Sequence, residues 1–329
     1  MTTIVDPLTD DLESGSLFAL LTCVRAETDP PGSTGIPGLD GHIRRTTFNG
    51  RDVSHTINSK DVIEIQGPSV GKSHLLMHFI VTCILPISHH GWDKSAILID
   101  LDHTFDVHRF KHLLKTHIRV HIPNSEEDLD LFVDLLLQKL HIFRPESSVQ
   151  FAVTAANIPN YHSSNMPEEE IGLVAVDCLS SFYWQDRFLG EQPRDGKPSG
   201  IEKALNSLEQ IRQLHGSVIA YTNWGLPSAR HNPENSSPFY PQHIPQLHSP
   251  FAGEPQISHS ILPVTYHMTM RTVAMPKISR DTDVEQLMAD RRVYDQVVEV
   301  LVRTAGFNEQ VGSFMFRITS DEVIFSGRG

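Results

Sequence analysis

Gly67-Pro68-Ser69-Val70-Gly71-Lys72-Ser73 is the stretch that decides how this chain is read. Before it, Val62 to Ile65 is a short apolar run that reads as a buried strand, and after it His74 to Leu85 reads as an apolar helix. A strand, a glycine-bearing loop and a helix in that order let backbone N–H groups and a helix N-terminus surround a phosphate. In such a loop Lys72 reaches the β/γ-phosphates and the Ser73 hydroxyl binds Mg²⁺. Further along, Leu173 to Val176 is another apolar strand, closed by Asp177, whose carboxylate is placed to hold the same Mg²⁺. The pair predicts binding of a nucleoside triphosphate.

The loop departs from the usual G-x-x-x-x-G-K-[ST] spacing, since Pro68, Ser69 and Val70 alone separate Gly67 from Gly71. Either the loop is one residue short, or Gln66 takes the first-glycine position, where a side chain restricts the turn. Pro68 adds no N–H donor. The plain alternative is a glycine turn before a helix with a surface lysine. The strand–loop–helix context and the later aspartate favour phosphate binding, with reduced affinity as the expected consequence of the short loop.

Composition narrows the class. The chain has 329 residues, 39% of them hydrophobic, enough for one large or two smaller domains. No run approaches the roughly 18 apolar residues needed to span a bilayer, so no membrane role is expected. Asp6, Asp10, Asp11 and Glu13 give the N-terminus the wrong charge for a signal or transit peptide. Cys23, Cys83 and Cys178 are scattered without metal-ligand spacing, which suggests a reducing, intracellular compartment. The formal charge of −13 excludes DNA coating through an overall basic field, so any nucleic-acid contact must be local. His74 and His78 lie one helical turn apart without an evident third metal ligand, and packing or surface roles are expected of them.

Residues Met1–Gly32 read as an N-terminal arm, acidic first, with an apolar segment Leu17–Val24 that docks on the chain's own core or on a partner. From residue 33 to 329, strands and helices alternate as in one core domain. The expected strands are Val62–Ile65, Ala96–Asp100, Gly172–Asp177 and Ser217–Thr222, apolar enough for a parallel sheet covered on both faces. Ser125 and Asp128 resemble a capping box, followed by the helical stripe Leu129, Phe132, Val133, Leu136, Leu137 and Leu140. Another helix is expected over Gly200–Leu214. Two irregular loops intervene, Gln185–Ser199 and the long, proline-rich 225–260. Leu262–Arg271 alternates like an exposed edge strand, Asp283–Arg303 reads as partial helix, and Ser313–Thr319 with Val323–Phe325 reads as a hairpin. The fold class is α/β: a mostly parallel twisted sheet with helices on both faces and a C-terminal antiparallel hairpin, ligand at the C-terminal strand ends.

This order of parts resembles the RecA-like recombinases, P-loop NTPases with such a core. Ser33-Thr34-Gly35-Ile36-Pro37-Gly38-Leu39-Asp40 is similar to the family's lead-in to the first core strand, and Ile99-Asp100-Leu101-Asp102 to its second, which ends near a catalytic carboxylate. Asp177-Cys178-Leu179-Ser180-Ser181-Phe182-Tyr183-Trp184 is the most specific run and resembles that of a eukaryotic recombinase paralogue. The resemblance implies that Gly67 to Ser73 bind ATP, that Ser73 and Asp177 serve Mg²⁺, and that Asp102 stands where active members place a water-activating glutamate. Asp102 is one methylene shorter, and misplacement of about 1 Å costs roughly 100-fold in rate. The alternative for Asp102 is a merely polar residue at a strand end. Trp224, where the family has a γ-phosphate-sensing glutamine, offers a single indole donor. The two irregular loops fall at the family's DNA-binding loops but carry almost balanced charge.

What the resemblance implies, then, is a nuclear, ATP-binding recombinase paralogue acting in homologous-recombination repair of DNA double-strand breaks. It would be an assembly or mediator subunit and at most a weak DNA-dependent ATPase. Its partners would be other recombinase paralogues, the main strand-exchange recombinase, and single-stranded or branched DNA reached through the complex. The alternatives are an autonomous DNA-stimulated ATPase that forms its own filament, and a P-loop small-molecule kinase; the latter lacks an obvious cluster of lid arginines.

Overall fold

Strands form where apolar residues run on without interruption, because both faces of the sheet are covered. The computed structural model describes residues 31–47, 56–68, 71–121, 129–188, 198–226, 237–247, 249–251, 261–273, 296–307, 310–319 and 322–326. Its strands are β1 (Val62–Gly67), β2 (Ser95–Asp100), β3 (Leu140–Phe143), β4 (Ile171–Asp177), β5 (Val218–Trp224), β6 (Tyr266–Thr272), β7 (Gln296–Thr304), β8 (Val311–Ile318) and β9 (Val323–Ser326). They join in one nine-stranded sheet, ordered β3-β2-β4-β5-β1-β6-β7-β8-β9. Pairing is parallel from β3 to β6 and antiparallel from β6 to β9. This is the α/β architecture of a RecA-like core.

Alternation along each strand sorts side chains between two cores. Ile63 and Ile65 of β1, Leu98 of β2, Leu173 and Ala175 of β4 and Ala220 of β5 enter one. Val62, Ile97, Ile99, Val174, Val176 and Ile219 enter the other. The first is covered by α1 (Pro37–Thr47), α2 (Lys72–Ile84), α3 (Val107–His121) and α4 (Leu129–Leu137). The second is covered by α5 (Ser148–Asn165) and α7 (Gly200–His215), while the short α6 (Tyr183–Phe188) follows β4. Ser199 caps α7 by accepting from the Glu202 amide, and Gly216 closes it at φ +67, a conformation that favours glycine.

Several expectations need correction. The helix over Leu129 stops at Leu137, and Leu140 opens β3 instead of completing the helical stripe; Ser125 and Asp128 lie outside the described residues. Leu262–Arg271 does not supply an edge: β6 lies between β1 and β7. Of Asp283–Arg303, the described part from Gln296 is strand β7, not helix, because Val298, Val300 and Val302 alternate into the core. The hairpin is present as β8 and β9, in antiparallel register from Met315–Ser326 to Ile318–Val323. Residues 1–30 of the expected arm lie outside the described residues, and Gly32 is bridged to Ile57.

The lead-in Ser33–Asp40 starts α1 through local hydrogen bonds. Asp40 accepts from the Ser33 hydroxyl at 2.7 Å and from the Thr34 amide and hydroxyl at 2.9 and 2.8 Å. The Thr34 carbonyl in turn meets the His78 ring nitrogen Nε2 at 2.9 Å, tying this segment to α2. His78 therefore packs, as expected.

Candidate functional site

The C-terminal ends of β1, β2, β4 and β5 come together beside the start of α2. Gly67 ends β1; Gly71 precedes Lys72 with φ +104, a conformation nearly reserved for glycine. The helix start has no side-chain cap and no acidic residue in its first turn, so its leading N–H groups and its dipole remain suited to an anion. Lys72 is buried, and its ammonium donates to the Gly67 carbonyl at 3.0 Å, folding back across the loop. Ser73 is half-buried in the first turn, and Pro68 is exposed between strand and loop. Ser69 and Val70 lie outside the described residues.

Asp177 ends β4 directly beside Asp100 at the end of β2. It is buried and accepts from the Thr222 hydroxyl of β5. Its backbone carbonyl takes the amides of Leu101 and Asp102, the latter at 3.2 Å. Asp102 is thereby anchored to the same strand end as the expected metal ligand, and the Ser181 hydroxyl donates to its carboxylate. Burial raises the Asp102 pKa; the Ser181 hydrogen bond opposes this, Asp177 and Asp100 add to it, and Lys72 offsets part. Asp102 thus feels the charges of both Asp177 and Lys72.

Other residues shape this region without having been expected. Asp100 is fully buried and holds the turn that carries Asp102: it accepts from the Thr104 and Phe105 amides and from Arg144 Nε at 3.0 Å. Ser180, just beyond β4, ties it to β5 and to the segment that carries His243, contacting Asn223 Oδ1 and His243 Nε2 and accepting from the Trp224 amide at 3.0 Å. Asn223 donates at 3.0 Å to Glu64 of β1. Trp224 thus enters the network through its backbone and is half-buried. His74, next to Ser73, has its pKa lowered by burial and then by Arg109, against the pull of Asp177. The sequence reading missed these residues; the one local hint is the hydroxyl pair Ser180-Ser181 shortly after Asp177, since polar residues so close to an apolar strand end need buried partners.

The donors fit a magnesium–nucleotide complex. Among the described residues no group of three or more His, Cys, Asp or Glu side chains could hold a metal ion. Mg²⁺ needs no such cage, since it is commonly bound by one or two protein groups, substrate phosphates and water. The thiol of Cys178, after Asp177, is pushed up to about 11 by burial and is not a nucleophile at neutral pH. Among the described residues no helix is long and apolar enough to cross a membrane.

No protein-family model matches the chain. It is 32% identical over 167 residues to DNA repair protein XRCC2 of Mus musculus, covering 50% of this chain and 56% of that protein. It is 28% identical over 153 residues to DNA repair protein RAD51 of Mycosarcoma maydis, covering 46% and 40%. It is 23% identical over 181 residues to DNA repair and recombination protein RadA of Haloquadratum walsbyi, covering 51% and 52%. The chain spans about half the length of the curated relatives it matches. Over that stretch it resembles the RecA-family recombinases, and among them the paralogue XRCC2.

Proposed function

We propose that this chain binds ATP with Mg²⁺ and acts in homologous-recombination repair of DNA double-strand breaks, as an assembly or mediator subunit and not as a filament-forming motor. The observation that carries nucleotide binding is the uncapped start of α2 with Lys72 folded over Gly67, facing the β2 and β4 ends that bear Asp102 and Asp177. The names of its relatives support the repair role. In this reading residues Gly67 to Ser73 cradle the phosphates, with Lys72 as their countercharge, and Ser73 and Asp177 hold the metal. Bound Mg²⁺ would neutralise phosphate charge.

Hydrolysis is expected to be slow. Asp102 has the shorter side chain, and the Ser181 hydroxyl already occupies one of its oxygens. The −13 charge argues against tight DNA binding by the chain alone. Partners would be other recombinase paralogues and the strand-exchange recombinase, in the nucleus, with single-stranded or branched DNA reached through the complex. The domain reading is a 1–32 arm on a 33–329 core.

The test is Lys72→Ala. Titration with a fluorescent ATP analogue should show most affinity lost while the circular dichroism spectrum and Tm stay near wild type. Equal affinity in the variant would make Gly67–Ser73 a structural turn. Tight, cooperative binding of labelled single-stranded DNA by the isolated chain at near-physiological salt would favour the autonomous filament instead.

A further inference from the structure

A cavity of about 300 Å³ lies beside the first core, between the lead-in segment, α2, α3 and β9. That volume is at the small end of the range for ligand clefts and suits one ring system better than a whole nucleotide. Met77 of α2, Leu113 of α3 and Phe325 of β9 give it apolar walls, while His74, His117 and Glu322 supply polar groups. Among the described residues no group of three or more His, Cys, Asp or Glu side chains could hold a metal ion, so these histidines point to an organic ligand.

The walls are held from behind. His78 Nε2 meets the Thr34 carbonyl at 2.9 Å, and its ring lies 4.4 Å from that of Phe325 and 6.1 Å from that of His117. The Glu322 amide donates to Thr319 Oγ1 at 2.9 Å, and the Thr319 amide donates to the Glu322 carbonyl at 3.0 Å. Arg109 Nη2 donates to the Thr319 carbonyl at 2.8 Å, which ties the Glu322 end of β9 to the start of α3.

The cavity adjoins the phosphate end of the candidate site. His74 follows Ser73 directly, lines the cavity and feels the charges of Arg109 and Asp177. Met77 and His78 stand about one turn further along α2, roughly 6–8 Å from Ser73 at 1.5 Å per residue. A nucleotide with its phosphates at the start of α2 can therefore lay its base here, alongside the same helix. Burial and then Arg109 lower the His74 pKa, so at neutral pH its ring offers one N–H donor and one acceptor nitrogen. A carboxylate only accepts. An acceptor and an N–H donor together match adenine, which presents an amino group beside a ring nitrogen acceptor.

We infer, resting on the nucleotide binding proposed above, that this cavity is the base subsite and that Glu322 accepts from the adenine amino group. An oxopurine such as hypoxanthine would turn a carbonyl toward the carboxylate instead, leaving two acceptors face to face.

Calorimetric titrations of the full chain with Mg²⁺ and three probes, ATP, inosine triphosphate and inorganic tripolyphosphate, separate the base from the phosphates. Wild type should prefer ATP over inosine triphosphate by roughly tenfold to a hundredfold, the range for one hydrogen bond to a charged group. Glu322→Gln should largely close that gap. Val323→Phe, which adds a ring at the cavity wall, should weaken both nucleotides. Neither variant should change tripolyphosphate binding. Equal wild-type affinity for ATP and inosine triphosphate, or an ATP preference that survives Glu322→Gln, overturns the subsite and leaves the phosphate loop standing. Equal loss of tripolyphosphate binding in Glu322→Gln also overturns it, by making Glu322 a support of the whole site. If wild type binds none of the three probes, the nucleotide reading fails and the subsite falls with it. If Val323→Phe does not fold, Glu322→Gln carries the comparison.

Discussion

Replacing Gly71 by alanine tests whether the phosphate loop is held by backbone geometry. A Cβ at this position would meet Met270 Cε, Phe316 Cζ and Val298 Cγ2, each at 3.2 Å, with φ at +104. Left-handed backbone costs a non-glycine residue about 1–2 kcal/mol. Crowding a packed core costs about 1–3 kcal/mol more, at the lower end here because the neighbours are side-chain tips. The sum is about 2–4 kcal/mol, a Tm fall of about 3–6 °C for a chain of this size. Gly41, inside α1 with open space around it, is the control. Gly41→Ala should leave stability unchanged or raise it by about 0.5–1 kcal/mol. Calorimetry of both variants gives the comparison, and nucleotide titration of Gly71→Ala should show weakened binding as the loop shifts. Equal Tm values for the two variants would refute the reasoning, because the chemical change is the same and only the setting differs.

Three further outcomes are expected. Steady-state ATP hydrolysis should be far below 1 s⁻¹, the low end for ordinary enzymes, and Asp102→Glu should raise it or leave it unchanged; a wild-type turnover near 1 s⁻¹ would sink the assembly-subunit reading. His42 is buried, bonded to Thr304, and lowered to about 4 by burial and then by Arg45. The unfolded chain takes up this proton near pH 6.5 and the folded one does not until about 4, so stability should fall as pH drops through that window, by about 3 kcal/mol at most. Urea titrations from pH 7 to 4 should show a flatter acid limb in His42→Gln, and an unchanged limb would remove His42 as a cause. Gly225→Ala places a Cβ 2.7 Å from the Tyr240 ring and 3.0 Å from the Gly67 carbonyl carbon, and should weaken nucleotide binding although Gly225 lies outside the loop motif; unaltered affinity would contradict that packing.

How much of this was legible depended on where polar residues fell. The strands β1, β2, β4 and β5 could be read because their apolar runs face cover on both sides. Strand β3, Leu140-His141-Ile142-Phe143, sits at the sheet edge, half-exposed and short, and merges into the stripe of the preceding helix. Strand β6 looked like an edge because His267 and Thr269 alternate with Met268 and Met270; its polar side is instead buried beneath residues 237–251, a tertiary fact that periodicity does not carry. Helix α5 holds Pro159 in its interior, which argues against a helix in the sequence, whereas α3 does carry a helical stripe, Phe110, Leu113, Leu114 and Ile118, that went unread. In the candidate site, Lys72 and Asp177 were visible from motif spacing. Asp100, Ser180, Ser181 and Asn223 act through partners far away in sequence, which one chain read in order does not reveal.

The placement of β1 also sets the order in which the molecule can be built. This central strand pairs with β5 on one side and β6 on the other, beginning at Val62–Ile219 and Ile63–Tyr266. The second partner follows the first by about 48 residues, but the first is itself made about 156 residues after β1, which at 5–20 residues per second is a delay of roughly 8–31 s during synthesis. Through that interval the strand that carries the phosphate loop has no permanent neighbour, and its exposed edges are open to wrong pairing. Contacts this distant in sequence also form late and slowly. Ribosomal pausing or premature truncation before β6 should therefore deliver a chain that already contains the whole nucleotide motif yet aggregates before it can use it.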